Sequence, residues 1–262
     1  MLMLTRYLSV GKSYPQLPVV HIPHVSLPQR QHELPPPYQT LRLLNDCPEV
    51  PLAYSWLTEQ GRQVEWAELN QVIRPSEETQ PTTKTPRYRL WEPNLFIQEF
   101  IQNLHPKQAL DLGCGSGRDA VFLADLGWQV TAVDWLPDAL ERGRDLQRRY
   151  APESLPIQWV CTDLERDTWQ PHQTYDLIVN CFYYSAQLLE RAWNWLAPDG
   201  LLLLEAFTPT HQKKYGRPAS PLRVVPLTEL LRSLPNRTTL LHASEDWRES
   251  GRHTVRLLAR AG

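Results

Sequence analysis

The sequence predicts an α/β protein: a doubly wound, mostly parallel seven-stranded sheet with an antiparallel terminal hairpin, preceded by a small N-terminal α/β segment. Three observations carry this expectation. From residue 88 onward short apolar runs alternate with helical periods, the pattern of strands buried on both faces and separated by helices. A glycine-rich turn, "DLGCGSG" (111–117), follows an apolar run and holds three of the chain's 11 glycines in five positions. Two strand-like runs close the chain with only "RESGR" between them, a connection too short for anything but an antiparallel hairpin.

The elements justify themselves in order. Twelve of the 24 prolines lie in the first 86 residues, and "RPSEETQPTTKTPR" (74–87) is polar, proline-rich and free of apolar periodicity. This divides the chain into an N-terminal segment (1–73), a linker (74–87) and a larger domain (88–262). In the larger domain "QALDLGC", "WQVTAVD", "PIQWVCTD", "YDLIVNC" and "LLLLEAF" read as strands. Between them "GRDAVFLADLG" reads as a helix stopped by Gly127, and "PDALERGRDLQRRY" as one opened by proline in its first turn. "RTTLLHASEDW" and "HTVRLLARA" form the hairpin.

Composition sets outer limits. With 42% hydrophobic and 21% charged residues the chain is ordinary for a globular protein. A formal net charge of -2 offers no field to hold nucleic acid or an anionic membrane. No apolar stretch approaches a membrane span, and the N-terminus lacks a secretory pattern, so a cytoplasmic location is expected. Cys47, Cys114, Cys161 and Cys181 show neither C-x-x-C pairing nor zinc-finger spacing, which predicts reduced thiols and no metal.

A strand ending near Asp111, then Gly113, Gly115 and Gly117, then a helix, places a tight turn where open α/β sheets bind ligands. A dinucleotide fingerprint needs a third glycine at 118, where this chain has Arg118. The pattern of an acidic residue followed by x-G-x-G-x-G instead resembles the first motif of class I S-adenosylmethionine (SAM) dependent methyltransferases. "YDLIVNCFYY" and "LAPDGLLLLEAF" match that family's later motifs in order, with Asp199 where the family often has glycine. The resemblance covers 88–262.

The resemblance implies SAM as cofactor. It places the Asp111–Gly117 loop at the methionine part, and Asp134, 21 positions after Gly113, at the ribose hydroxyls. Trp135 is then a face for adenine, Asp163 with Leu164 a site for the adenine amino group, and Asn180 the strand end facing cofactor and acceptor. Each residue has a plainer reading: Trp135 as packing, Asp163 as a helix cap. Trp91, Phe182 and Tyr183 are the expected acceptor-side residues, Tyr88 and Trp91 standing on an amphipathic helix before the first strand. "EAFTPTHQKKYGRP" (205–218) loosely resembles the pocket-covering loop of tellurite-resistance and thiopurine-type small-molecule methyltransferases. Where an acceptor carries a proton, Glu205 and His211 are the candidate bases, against a salt-bridged strand end and a solvated loop side chain.

Four rival readings stand beside this one. A nicotinamide oxidoreductase is opposed by Arg118 and the hairpin, and aminopropyl transfer by the lack of an acidic channel near "NCFYY". Nucleobase amino methylation is opposed by "NCFY" lacking both prolines of N-P-P-Y. A non-catalytic SAM-binding protein remains open. In the N-terminal segment, residues 19–66 faintly resemble the second half of a rhodanese-like domain. Pro48 and Pro51 donate nothing to a thiolate cradle, so Cys47 is expected to be a buried thiol. The partner of that segment is unknown.

Overall fold

The structure, a computed structural model, describes residues 2–72, 87–166 and 168–262. The chain divides into two compact units, Met1–Glu92 and Pro93–Gly262. The expected linker lies, apart from Arg87, outside the described residues.

The first unit contains β1 (Leu2–Leu4), β2 (Tyr7–Ser9), β3 (Val19–His21), β4 (Leu41–Leu44), α1 (Val50–Glu59), β5 (Val64–Ala67) and β6 (Arg87–Arg89). Four of these strands pair in parallel in the order β3-β2-β4-β5, while β6 pairs with β1. Leu8, Ile22, Leu43 and Leu57 are buried in its core. Residues 88–92, expected to open the larger domain, therefore belong to the first unit. Tyr88 sits in a strand and not on a helix, because the helical period of this stretch begins only after Pro93, at Leu95. Trp91 is fully buried, with the Arg89 guanidinium 4.9 Å from its ring. Cys47 lies in the loop between β4 and α1; burial, then Glu49, raises its thiol above the ordinary range.

The second unit runs α2 (Leu95–Ile101), β7 (Gln108–Leu112), α3 (Arg118–Asp125), β8 (Gln129–Asp134), α4 (Pro137–Tyr150), β9 (Gln158–Cys161) and β10 (Tyr175–Cys181). It continues with α5 (Ala186–Trp193), β11 (Leu196–Phe207), α6 (Pro209–Tyr215), α7 (Leu227–Arg232), β12 (Thr239–Trp247) and β13 (His253–Arg260). The sheet order is β12-β13-β11-β10-β7-β8-β9. Only β13 runs against its neighbours, being antiparallel to both β11 and β12. Every strand expected from the sequence is present. The stretch 205–218, expected as a loop, holds the short helix α6, because Thr208 accepts from the His211 N–H as N-cap and Pro209 fits the first turn.

Strand order reverses between β7 and β10, so right-handed connections place α3 and α4 on one face and α5 on the other. Leu110, Ile178 and Leu202 from the sheet pack with Leu188 and Leu230 of the covering helices in one buried cluster. Asp199 takes φ 61° in the turn before the main part of β11, a conformation that aspartate tolerates better than most residues.

One contact tests this packing. A Cβ on Gly143 in α4 would stand 2.5 Å from the Trp159 ring of β9. Gly143→Ala should therefore destabilise the protein by roughly 1–2 kcal/mol in urea unfolding, although alanine ordinarily favours a helix by about 1 kcal/mol. In a Trp159→Leu background the same substitution should be stabilising.

Candidate active site

The reversal of strand order leaves a crevice at the carboxyl ends of β7 and β10, the place where open α/β sheets take ligands. The loop after β7 is built on backbone contacts. The N–H groups of Gly113 and Cys114 both donate to the Val133 carbonyl, at 2.9 and 3.0 Å. Asp134, 8% exposed at the end of β8, accepts from the Gly115 N–H at 2.8 Å through one oxygen and from the Leu136 N–H at 2.9 Å through the other. Its carboxylate thus shapes the loop that it was expected to serve beside.

Two glycines are required here for different reasons. At Gly113, with φ 72°, a Cβ would lie 2.5 Å from the Tyr183 side chain. At Gly115, with φ 53°, a Cβ would meet nothing within 4 Å, so its outer side is open to a ligand. Gly117, also left-handed, caps α3.

Carboxylates gather beneath this loop. Asp111 is 2% exposed, and among the described residues its Oδ2 has no hydrogen-bond partner. Burial pushes Asp111 well above the usual carboxylate range, and the charges of Asp119 and Asp134 push it further. Burial likewise pushes Asp119, in the first turn of α3, up to about 6, against the Asn94 N–H and Arg118. Asn94 ties the cluster together: its N–H donates to Asp119 at 2.6 Å and its side-chain amide to Glu205 at 2.8 Å. Sequence reasoning passed over Asn94 and Asp119. A polar residue two positions past the last loop glycine was the available signal.

Trp135, expected on the adenine side, is 58% exposed. Asp163 accepts from the N–H groups of Glu165 and Arg166, at 2.9 and 3.3 Å. It therefore acts as the cap of a turn, and Leu164 beside it is buried.

At the end of β10, the Asn180 amide donates to the Leu112 and Tyr183 carbonyls, at 3.1 and 3.0 Å, and so ties β10 to β7. Phe182 then adopts φ 63°, strained for a side chain of its size, and its ring meets Phe207 at 5.0 Å. Tyr183 lies under the Arg223 guanidinium. Trp91 belongs to the first unit.

The two candidate bases are both engaged. Glu205, 3% exposed, accepts from Thr254 at 2.7 Å and Arg256 at 3.1 Å as well as from Asn94. It is a brace between β11, β13 and the start of α2, the salt-bridged alternative rather than a free proton acceptor. His211 is 8% exposed on α6, not a solvated loop residue, because its ring stacks on Phe207 at 4.4 Å. Its Nδ1 accepts from the His253 N–H at 3.2 Å, so the neutral ring carries its proton on Nε2 and presents a donor. Burial, then Arg252, His253 and Lys214, hold its pKa below the ordinary value.

All four cysteines are free, and among the described residues no His/Cys/Asp/Glu group could hold a metal. No helix of the described residues is long and apolar enough to cross a membrane.

A sheet of this order with a glycine loop at its reversal defines the class I methyltransferase fold. Residues 109–200, within the second unit, match the family described as "Methyltransferase domain". Nodulation protein S of Bradyrhizobium diazoefficiens is 30% identical over 127 residues, 45% of this chain and 58% of the relative. Hemagglutinin 1 of Eikenella corrodens is 37% identical over 82 residues, 31% of this chain and 26% of the relative. The chain thus spans less than two thirds of the curated relatives it matches. Among solved structures, TehB from Haemophilus influenzae has a TM-score of 0.51 at 21% identity, covering 63% of this chain and 61% of that one. The N-methyltransferase NodS from Bradyrhizobium japonicum WM9 has 0.51 at 19%, covering 64% and 92%. These likenesses show the fold.

The Asp119 carboxyl gives a pH test. With a folded pKa of about 6 above its ordinary 3.8, the folded state binds more protons between about pH 4 and 6. Stability contributed by this group is therefore lost as pH rises through that window. Asp119→Asn keeps the acceptor for Asn94 and cannot ionise. It should raise Tm at pH 7.5 by roughly 2–4 °C, the equivalent of about 1 kcal/mol, and flatten the Tm profile between pH 4 and 6.

Proposed function

We infer that the second unit transfers a methyl group from SAM to a small-molecule acceptor. The observation that carries this reading is the acidic cradle: a buried Asp111 oxygen without a partner among the described residues, beside a loop whose outer side is open at Gly115. Such a cradle suits a ligand bearing an ammonium and a sulfonium. A dinucleotide would bring a pyrophosphate, which has no donor to offer, against a buried Asp111 oxygen that lacks a partner among the described residues, whereas an ammonium would supply the missing donor. The residues present therefore fit SAM better than a nicotinamide cofactor.

In this reading the 111–117 loop holds the methionine part and the exposed Trp135 face the adenine. Asp134 serves the ribose while its backbone bonds keep the loop in shape. Leu164, with the Asp163 turn, closes the adenine end. Bound SAM supplies a methyl group already activated on a sulfonium, with a neutral thioether as leaving group. The protein's remaining task is to orient the acceptor and exclude water. Phe182, Tyr183 and Phe207 at the ends of β10 and β11 form the acceptor wall, with the His211 Nε2–H as a donor. Glu205 braces that wall, and neither Glu205 nor His211 is required as a base. A net charge of -2 favours a small molecule over nucleic acid, and four free thiols suit a cytoplasmic setting.

Calorimetry with SAM, S-adenosylhomocysteine, NAD and NADP tests the reading. Saturable binding of the two adenosyl sulfur compounds is expected, and binding of a nicotinamide cofactor in their place would overturn it. Asp134→Asn should weaken S-adenosylhomocysteine by at least about 10-fold, the loss of a charge-assisted hydrogen bond. Gly115→Val, whose side chain enters the open space, should abolish binding. An unchanged affinity in both variants would remove Asp134 and Gly115 from the site.

A further inference from the structure

Six aromatic rings run in series from the end of β10 to the β12–β13 turn. Phe182 meets Phe207 at 5.0 Å, Phe207 stacks on His211 at 4.4 Å, and His211 meets Tyr215 at 4.7 Å. Tyr215 and Trp247 follow at 6.4 Å, then Trp247 and His253 at 4.9 Å. The series begins at the acceptor wall and emerges at the surface, where Tyr215 and Trp247 are about half exposed. A row of rings can take a flat body or a cation.

The protein itself fills the cation places. The Arg252 guanidinium lies 4.9 Å from the Phe182 ring, and the Lys214 ammonium lies 4.2 Å from Trp247 and 5.2 Å from Tyr215. Both cations are exposed. The ion pairs of this end of the sheet, Arg223–Glu165 and Arg256–Glu205, use other residues. Arg252 and Lys214 thus add positive charge beside the acceptor wall, and both lower further a His211 pKa that burial already holds down. A cationic acceptor would meet repulsion there. An anion would complete the charge.

We propose that the acceptor is a planar organic carboxylate whose body lies along Phe182 and Phe207 and whose carboxylate pairs with Arg252, Lys214 supporting the same charge. The guanidinium fork matches a single carboxylate, and stacking on Phe182 already orients its plane. The inference deepens the methyl-transfer reading and rests on it.

The test uses the full chain saturated with S-adenosylhomocysteine, which separates the two claims: failure of S-adenosylhomocysteine to bind sinks the methyl-transfer reading itself. Probes are planar carboxylates of one to three rings, 4-hydroxybenzoate first, each paired with its neutral amide, and tyramine as a cation. At least one carboxylate should bind about 10-fold more tightly than its amide and than tyramine. Arg252→Gln, a change at an exposed side chain, should reduce that preference to about 3-fold or less, Lys214→Gln should reduce it less, and neither should alter S-adenosylhomocysteine affinity. The proposal is overturned if no carboxylate outbinds its amide, if tyramine binds best, or if the preference survives Arg252→Gln.

Discussion

The carboxylate of Asp134 holds the site in shape. A loop with three left-handed glycines has almost no side-chain packing to define it, so its conformation must come from hydrogen bonds. One Asp134 oxygen takes the Gly115 N–H and the other the Leu136 N–H, while the neighbouring Val133 carbonyl receives Gly113 and Cys114. The end of β8 thus moulds the loop that follows β7. Parallel pairing of the two strands makes this possible, because it brings their carboxyl ends to the same edge of the sheet.

Around that loop the charges divide. Asp111, Asp119 and Asp134 make the side beneath the glycines acidic, and two of the three carboxyls are driven upward by burial. Arg252 over Phe182 and Lys214 over Trp247 add positive charge along the aromatic series. Glu205 is bound to Arg256 on one hand and to Asn94 on the other. Glu205 itself is occupied, its carboxylate accepting from Asn94, Thr254 and Arg256 in the interior.

The strained backbone at Phe182 belongs to the same design. Asn180 closes the end of β10 onto β7, and the turn that results forces the next aromatic residue into a left-handed conformation. Its side chain is thereby carried toward Phe207 and Arg252. Strain of this kind persists where the surrounding contacts over-determine it, and here the Phe182 N–H bond to the Glu205 carbonyl does so.

The sequence by itself determined the seven strands of the second unit, their mostly parallel arrangement, the antiparallel hairpin, the glycine loop and the carboxylate at the end of the second strand. These are local signals: apolar periodicity, glycine spacing and the length of a connection all act within a few residues. Tertiary structure alone decided what Glu205 and His211 do, because their partners Asn94, Thr254, Arg256 and His253 lie more than forty residues away in sequence. It decided that residues 88–92 pair with the N-terminal strand, since β6 is too short to announce a strand and gains its place only by pairing with β1. Lys214 stands in a basic cluster with Lys213 and Arg217 that the sequence displays, but its placement over Trp247, and that of Arg252 over Phe182, were illegible for the same reason. Only the folding of the hairpin onto β11 brings Arg252 to the end of β10.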